Sequence, residues 1–486
     1  MEAAISAIAA ELLGRLISFT IQKYTKRSSC LDKKLQRLHR LLLRVHTVVE
    51  EADTRYITNS RMLVQLKILV DGMYQGYYLL DTFKYRPDPQ RTKSDPVLMS
   101  KTYLLSFASP DKSTQIIAGV DYRMPDVSDL ESILENLEST IANMTEFVIL
   151  LAGCKHMYRA PYDTYLYIDN FMFGRTIEKQ QIINILLQHN PLGEPTIIPI
   201  IGGPLVGKKT LVAHACRNKR VLSHFSYILH LSEDDIRRKG HKLSTHARTL
   251  VVIEFFSDVD DDCWAKFYSS ARCMDRASKV VIISRLESIA RLASMTPIRL
   301  NAMSNEEYVY LFKALAFGST NPDDHPQLAY IGLEIARLLR GLLLSGNVIA
   351  DMLRKNFSIH YWLHILRRYR TVVDSNFSEF GEHPKHLIDK GHPVDITRFT
   401  SSPDHTSLRI LPSRGVKSIV QKERSELTFG DLVAGSRCTT VLPKEEFEIV
   451  IWESRVPPYT TFVATCAEQK AQHVSSPSKK RREFRM

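Results

Sequence analysis

Gly202-Gly203-Pro204-Leu205-Val206-Gly207-Lys208-Lys209-Thr210 is the stretch on which the fold turns. Glycines permit a tight turn whose backbone N–H groups can surround phosphate oxygens, and a lysine at the position of Lys208 can reach the outer ones. Such a turn needs a buried strand before it and a helix after it, so that the helix N-terminus faces the anion. The apolar run TIIPII at 196–201 supplies the strand, and a helix is expected from Lys208. Gly202, Gly203, Val206, Gly207, Lys208, Lys209 and Thr210 are therefore candidate phosphate-binding residues. One position departs from the pattern. Lys209 stands where a Ser or Thr would ligate Mg²⁺, and Thr210 comes one residue late, turned about 100° away along a helix. An ammonium repels a cation and can itself neutralise phosphate, which argues against bound Mg²⁺. The bland alternative is a glycine turn that binds nothing.

Downstream, apolar runs at 227–231, 250–256 and 279–284 alternate with helical segments, which predicts a parallel α/β sheet. Leu250-Val251-Val252-Ile253-Glu254-Phe255-Phe256 sits where a Walker B strand belongs. An acid at its end would hold a metal and a second would orient attacking water. Glu254 fills the first place, a weak metal candidate, and Phe255 the second. Asp258, Asp260, Asp261 and Asp262 read as a solvated loop. No catalytic residue is assigned, and at most a very weak ATPase is expected.

Upstream, three stretches repeat apolar residues at spacings of four and three: Leu31 to Ala52, Leu63 to Leu80, and Leu130 to Leu151. Each seam must bury against other helices, and several seams joined by turns predict a bundle. Ser128 with Glu131 reads as a capping box for the third. Ile5, Ile8, Leu12 and Leu16 place another amphipathic helix at the start, read as bundle packing and against membrane insertion. Residues 84–125 and 155–175 read as connectors. After the α/β segment, Ser304 and Glu307 head a helix, a Leu328–Leu338 stripe ends at Gly341, and two more helices are expected to reach Val373. Segments 406–411, 427–433 and 447–452 alternate as short strands of a β-rich appendix, and no leucine repeat of 20–29 residues is visible.

The seven cysteines are scattered without metal-ligand spacing and read as reduced thiols of the cytoplasm or nucleus. Of the net charge of +12, +4 lies in the last eight residues, five bases against Glu483. That tail can act as a nuclear-import signal or only as a solubilising end, and it is weak support for nucleic-acid binding.

With these motifs in order, residues 1–375 resemble the coiled-coil class of plant NB-ARC (nucleotide-binding, leucine-rich-repeat type) disease-resistance proteins, in particular short grass members without the repeats. Phe173-Gly174-Arg175 looks like the motif that leads into the nucleotide module. Ser278–Arg285 is similar to the "SKIIVTTR" strand, whose arginine senses the terminal phosphate, here Arg285. Leu311–Gly318 resembles "LFxxxAFG", Gly341–Leu344 resembles "GLPL" with Leu343 in place of the proline that packs near adenine, and Trp362 falls on the tryptophan helix. Tyr77–Asp81 stands at the acidic "EDVID" patch, with Asp81 retained.

The resemblance implies a multidomain α and α/β architecture. A coiled-coil-type helical bundle at 1–155 and a linker at 156–175 lead into a P-loop NTPase sheet at 176–302. A helical ARC1-like subdomain at 303–375, a small β-rich extension at 376–474 and a basic tail at 475–486 follow. It also implies a defence switch that binds ADP, or ATP, and associates with other immune receptors or itself through the bundle. A pathogen effector or guarded host protein would be the further partner. The competing reading is a nucleotide-free scaffold or decoy that pairs with full-length receptors.

Overall fold

A computed structural model describes residues 30–86, 125–157, 172–189, 195–238, 247–400, 406–412, 424–435, 446–456 and 458–470. The expected N-terminal helix, most of both connectors and the basic tail lie outside them. Helices α1 (residues 30–53), α2 (Ser60–Lys84), α3 (Val127–Ala142) and α4 (Thr145–Ala152) build the bundle. The heptad-like seams form its core: Leu38, Leu42, Val45, Leu63, Leu66, Leu130 and Leu134 are all nearly inaccessible. The third seam is two helices, not one. The chain breaks at Asn143, which rotates the buried face, so Phe147 turns inward and Val148 outward. Its cap also differs: Asp126 accepts from the backbone N–H of Asp129 while Asp129 accepts from that of Asp126, and Ser128 lies inside the first turn.

After α5 (Thr176–Leu187) comes the sheet, with strands β1 (Thr196–Gly202), β2 (Tyr227–Ser232), β3 (Thr249–Phe255), β4 (Lys279–Ser284) and β5 (Ile298–Leu300). All pair in parallel, in the order β2-β3-β4-β1-β5. A parallel sheet is covered on both faces, which is why its strands read as unbroken apolar runs. Ile198, Ile200, Leu250, Val252, Val281 and Ile283 pack on one face with α5 and the helix after the glycine turn, α6 (Lys208–Cys216). Ile197, Val251, Ile253, Phe255, Val280 and Ile282 pack on the other. Helix α7 (Lys219–His224) joins the first face through Val221, and α8 (Glu233–Arg238) and α9 (Asp261–Ala271) cover the second.

Beyond β5, α10 (Asn305–Phe317), α11 (Pro326–Leu339), α12 (Leu343–Lys355) and α13 (Ile359–Phe380) enclose Trp362, which is fully buried. Helix α13 runs through residues 375–376, and the same apolar cluster continues from Tyr308 to Cys466. It takes in α14 (Pro384–Lys390) and a second sheet ordered β6-β7-β10-β9-β8. Its strands are β6 (Val394–Asp395), β7 (Thr406–Ile410), β8 (Arg424–Thr428), β9 (Phe447–Glu453) and β10 (Thr461–Lys470). Segment 427–433, expected as a strand, is mostly helix α15 (Phe429–Ala434). Thr428 and Asp431 form a reciprocal capping box there and Gly435 ends the turn at φ +71°, so local capping overrides the alternation.

The bundle docks on both neighbours. Gln180 of α5 accepts from the backbone N–H of Ile57 at 2.7 Å and donates to Arg55 O at 3.0 Å, hooking the α1–α2 turn. On the helical side, Asp81 pairs with Lys313, Arg337 donates to Tyr78 and Thr82, and the Tyr85 hydroxyl donates to Asp323 at 2.6 Å.

Candidate functional site

The glycine turn joins β1 to α6 at the C-terminal edge of the sheet, where the sequence placed it. A Cβ on Gly202 would run into the Leu300 carbonyl, so glycine is what lets β1 end against β5. Gly207 sits at φ +88° and turns the chain into the helix. Leu205 also adopts positive φ, at 56°, a conformation uncommon outside glycine. Val206 is buried among the residues beneath α6 and anchors the turn.

Lys208 bends back over the loop, its Nζ donating to Gly202 O at 2.7 Å and Gly203 O at 2.6 Å. Burial pushes its ammonium pKa down, Glu254 opposes that, and Arg285 adds to it. The three charges therefore lie within electrostatic reach of one another. Lys209 extends from the same turn of helix to Glu254 Oε2, 2.5 Å away, and its ammonium stands 5.9 Å from the ring centre of Phe256. Glu254 is on the α6 side because alternate residues of β3 face opposite ways, and Phe255 accordingly packs into the other face beside Trp264. Arg285 is exposed just past β4. The turn that carries it is fixed by Ser284, whose hydroxyl donates to Phe255 O and accepts from the Leu286 N–H.

Lys208, Lys209, Glu254 and Arg285 are thus brought together at one sheet edge. Thr210 is half-buried on the third position of α6. Leu343 opens α12 and packs against the helical core, a different cluster from the one beneath the turn. The aspartate run faces away from the turn: Asp258 and Asp261 pair with Arg291.

Two residues that the sequence offered only as a motif member and a helix head contribute to the site. Buried Arg175 donates to Asn301 O at 2.6 Å and Val206 O at 3.5 Å and pairs with Glu178, clamping the back of the turn. Glu307, beside Gly174, is pushed up to about 7 by burial. The Phe173-Gly174-Arg175 motif carried the signal for Arg175, and Gly174, at φ +68°, lies against the Glu307 carboxyl.

A bundle docked on a parallel α/β module with a glycine-lysine turn defines the class: a P-loop-type fold carrying a helical N-terminal domain. Residues 8–110 match the Rx N-terminal domain. A disease-resistance protein of Arabidopsis thaliana is 26% identical over 235 residues, 42% of this chain and 16% of its own length. Disease resistance protein RGA2 of Solanum bulbocastanum is 20% identical over 362 residues, 68% of this chain and 36% of its own. The RPP13-like protein 1 of Arabidopsis thaliana is 21% identical over 406 residues, 74% of this chain and 37% of its own. Over these stretches the chain is similar to plant disease-resistance proteins of the coiled-coil, nucleotide-binding-site, leucine-rich-repeat type. It spans between 16% and 37% of the length of these relatives.

Proposed function

We propose that this chain is a plant immune receptor-like or adaptor protein that holds ADP, with ATP as the alternative state, and signals by association with other proteins. The observation that carries the reading is the convergence of Lys208, Lys209 and Arg285 on a turn of backbone amides at a helix mouth. Three cations against the single carboxylate Glu254 suit a diphosphate. The site lacks what hydrolysis needs. Phe255, in place of the second acid, lies in the core and orients no water. The chain acts as a binder whose two nucleotide states bias its conformation through their difference in affinity. Candidate partners are other receptors or a second copy through the bundle, and an effector or guarded host protein. Among the described residues no helix is long and apolar enough to cross a membrane.

Denaturing the purified protein and assaying the supernatant for adenine nucleotide tests this. Stoichiometric ADP that disappears in Lys208→Ala is the expected result. Well-folded protein with none would refute it. That outcome would favour the second reading, a nucleotide-free scaffold, for which one observation speaks: the Lys208 ammonium already has two carbonyl partners within its own loop.

A further inference from the structure

The place where this module would hold a divalent metal is occupied by a side chain. Mg²⁺ demands near-octahedral oxygen ligands at about 2.1 Å. Position 209 offers an ammonium instead of a hydroxyl, and one oxygen of Glu254 is 2.5 Å from that ammonium. The residues present do not fit the ion. The Lys209 side chain is also held from a second direction, with the ring of Phe256 on its flank at 5.9 Å from the centroid. The carboxylate and the ring together place a cation at the end of β3, beside the lysine of the glycine turn.

We infer that the Lys209–Glu254 pair is a resident counter-cation in the metal's place, so that this chain takes a nucleoside diphosphate free of Mg²⁺. The inference rests on the reading of the turn as a nucleotide site. Glu254 here holds and aims the Lys209 ammonium, which stays paired in the free protein and is shared with a phosphate oxygen on binding. The ammonium then meets phosphate on the side where a divalent ion would sit, and an ion entering there would meet its positive charge. The consequence is specific: chelation preserves or raises affinity, where a metal-dependent site would lose it.

The test uses the full chain, checked for folding by circular dichroism and titrated with a fluorescent ADP analogue in excess MgCl₂ and in EDTA. The wild type is expected to bind at least as tightly in EDTA as in MgCl₂, where the ion competes for the nucleotide, whereas Lys209→Thr restores the hydroxyl and makes binding depend on Mg²⁺ by about tenfold or more. Lys209→Ala should bind more weakly in both media with no rescue. Mn²⁺ added to the wild-type complex should keep the paramagnetic resonance signal of the free ion, and with Lys209→Thr lose it. Wild-type affinity that falls about tenfold in EDTA overturns the inference and leaves the nucleotide reading standing, and so does a Lys209→Thr protein indifferent to metal. Folded wild type that binds in neither medium overturns both.

Discussion

Replacing Glu307 with glutamine should stabilise this protein at neutral and alkaline pH and leave it unchanged in acid. Glu307 sits in the first turn of α10 with Gly174 against its carboxyl. Burial raises its pKa from the ordinary 4.5 to about 7. Arg175 and Lys67 pull the other way, while Glu178 and Asp71 add to the rise. Below pH 4.5 the carboxyl is protonated in both the folded and unfolded chain and contributes nothing. Between 4.5 and about 7 the folded state keeps a proton that the unfolded state has released, so unfolding liberates protons and stability falls as pH rises. Above 7 both states are ionised and the loss is complete. The interval from 4.5 to about 7, at about 1.36 kcal/mol per pH unit, comes to roughly 3 kcal/mol. Glutamine keeps the shape and hydrogen-bonding of the neutral acid and carries no charge to desolvate. Urea unfolding of wild type and Glu307→Gln at a series of pH values isolates the effect, since every other titrating group is common to both. The variant's advantage should grow from near zero at pH 4.5 to roughly 3 kcal/mol at pH 8. An advantage that stays flat with pH, or shrinks as pH rises, would refute the argument.

Asp81→Ala removes the partner of Lys313 between the bundle and α10. It should cost about 2 kcal/mol and expose the α2–α10 contact to limited proteolysis. Trp362→Ala should cost about 3–5 kcal/mol, read as a lower urea midpoint, because it empties the helical core. Trp362→Phe should cost less, losing chiefly the indole N–H bonds to Leu353 O and Asn356 O, at 3.0 and 3.2 Å.

What could be read from sequence follows from how far apart the interacting residues lie. The β1 run, the glycine turn and the helical seams are local patterns, and period alone specifies them. Strand β5 is three residues long, too short for any pattern to show. Segment 427–433 alternates like a strand, yet Thr428, Asp431 and Gly435 are a complete set of helix stop and start signals that was open to reading. The Lys209–Glu254 pair spans 45 positions, and sequence gave each residue a role without giving the contact. Lys209 was legible as a lost metal ligand and Glu254 as a surviving acid. That one neutralises the other depends on α6 and β3 sharing a sheet edge, which only the strand order provides. Arg175 was legible as part of a motif, whereas its hold on Val206 was not.

The same residues tie the turn to the bundle. Phe173 packs between Tyr74 of α2 and Tyr310 of α10, with ring centres 5.7 and 6.1 Å away, and Tyr310 lies 5.2 Å from Tyr74. Two residues on, Arg175 grips Val206 O of the glycine turn and Asn301 O just past β5. A shift of the turn that moves Val206 must therefore break that bond or carry Arg175 with it, and Gly174 and Phe173 follow Arg175 along the chain. Packed aromatic clusters do not deform smoothly, because interiors are close-packed and a displaced ring must repack or separate. Phe173, Gly174 and Arg175 thus connect the α2–α10 contact to the turn through three consecutive residues. Asp81–Lys313 and Arg337–Thr82 lie on the same α2 face and hold it closed. Two groups of bonds, one on each side of Phe173, therefore lie between the turn and the bundle. Weakening the charged group alone should loosen the bundle and leave the turn intact, which makes the two separable by mutation.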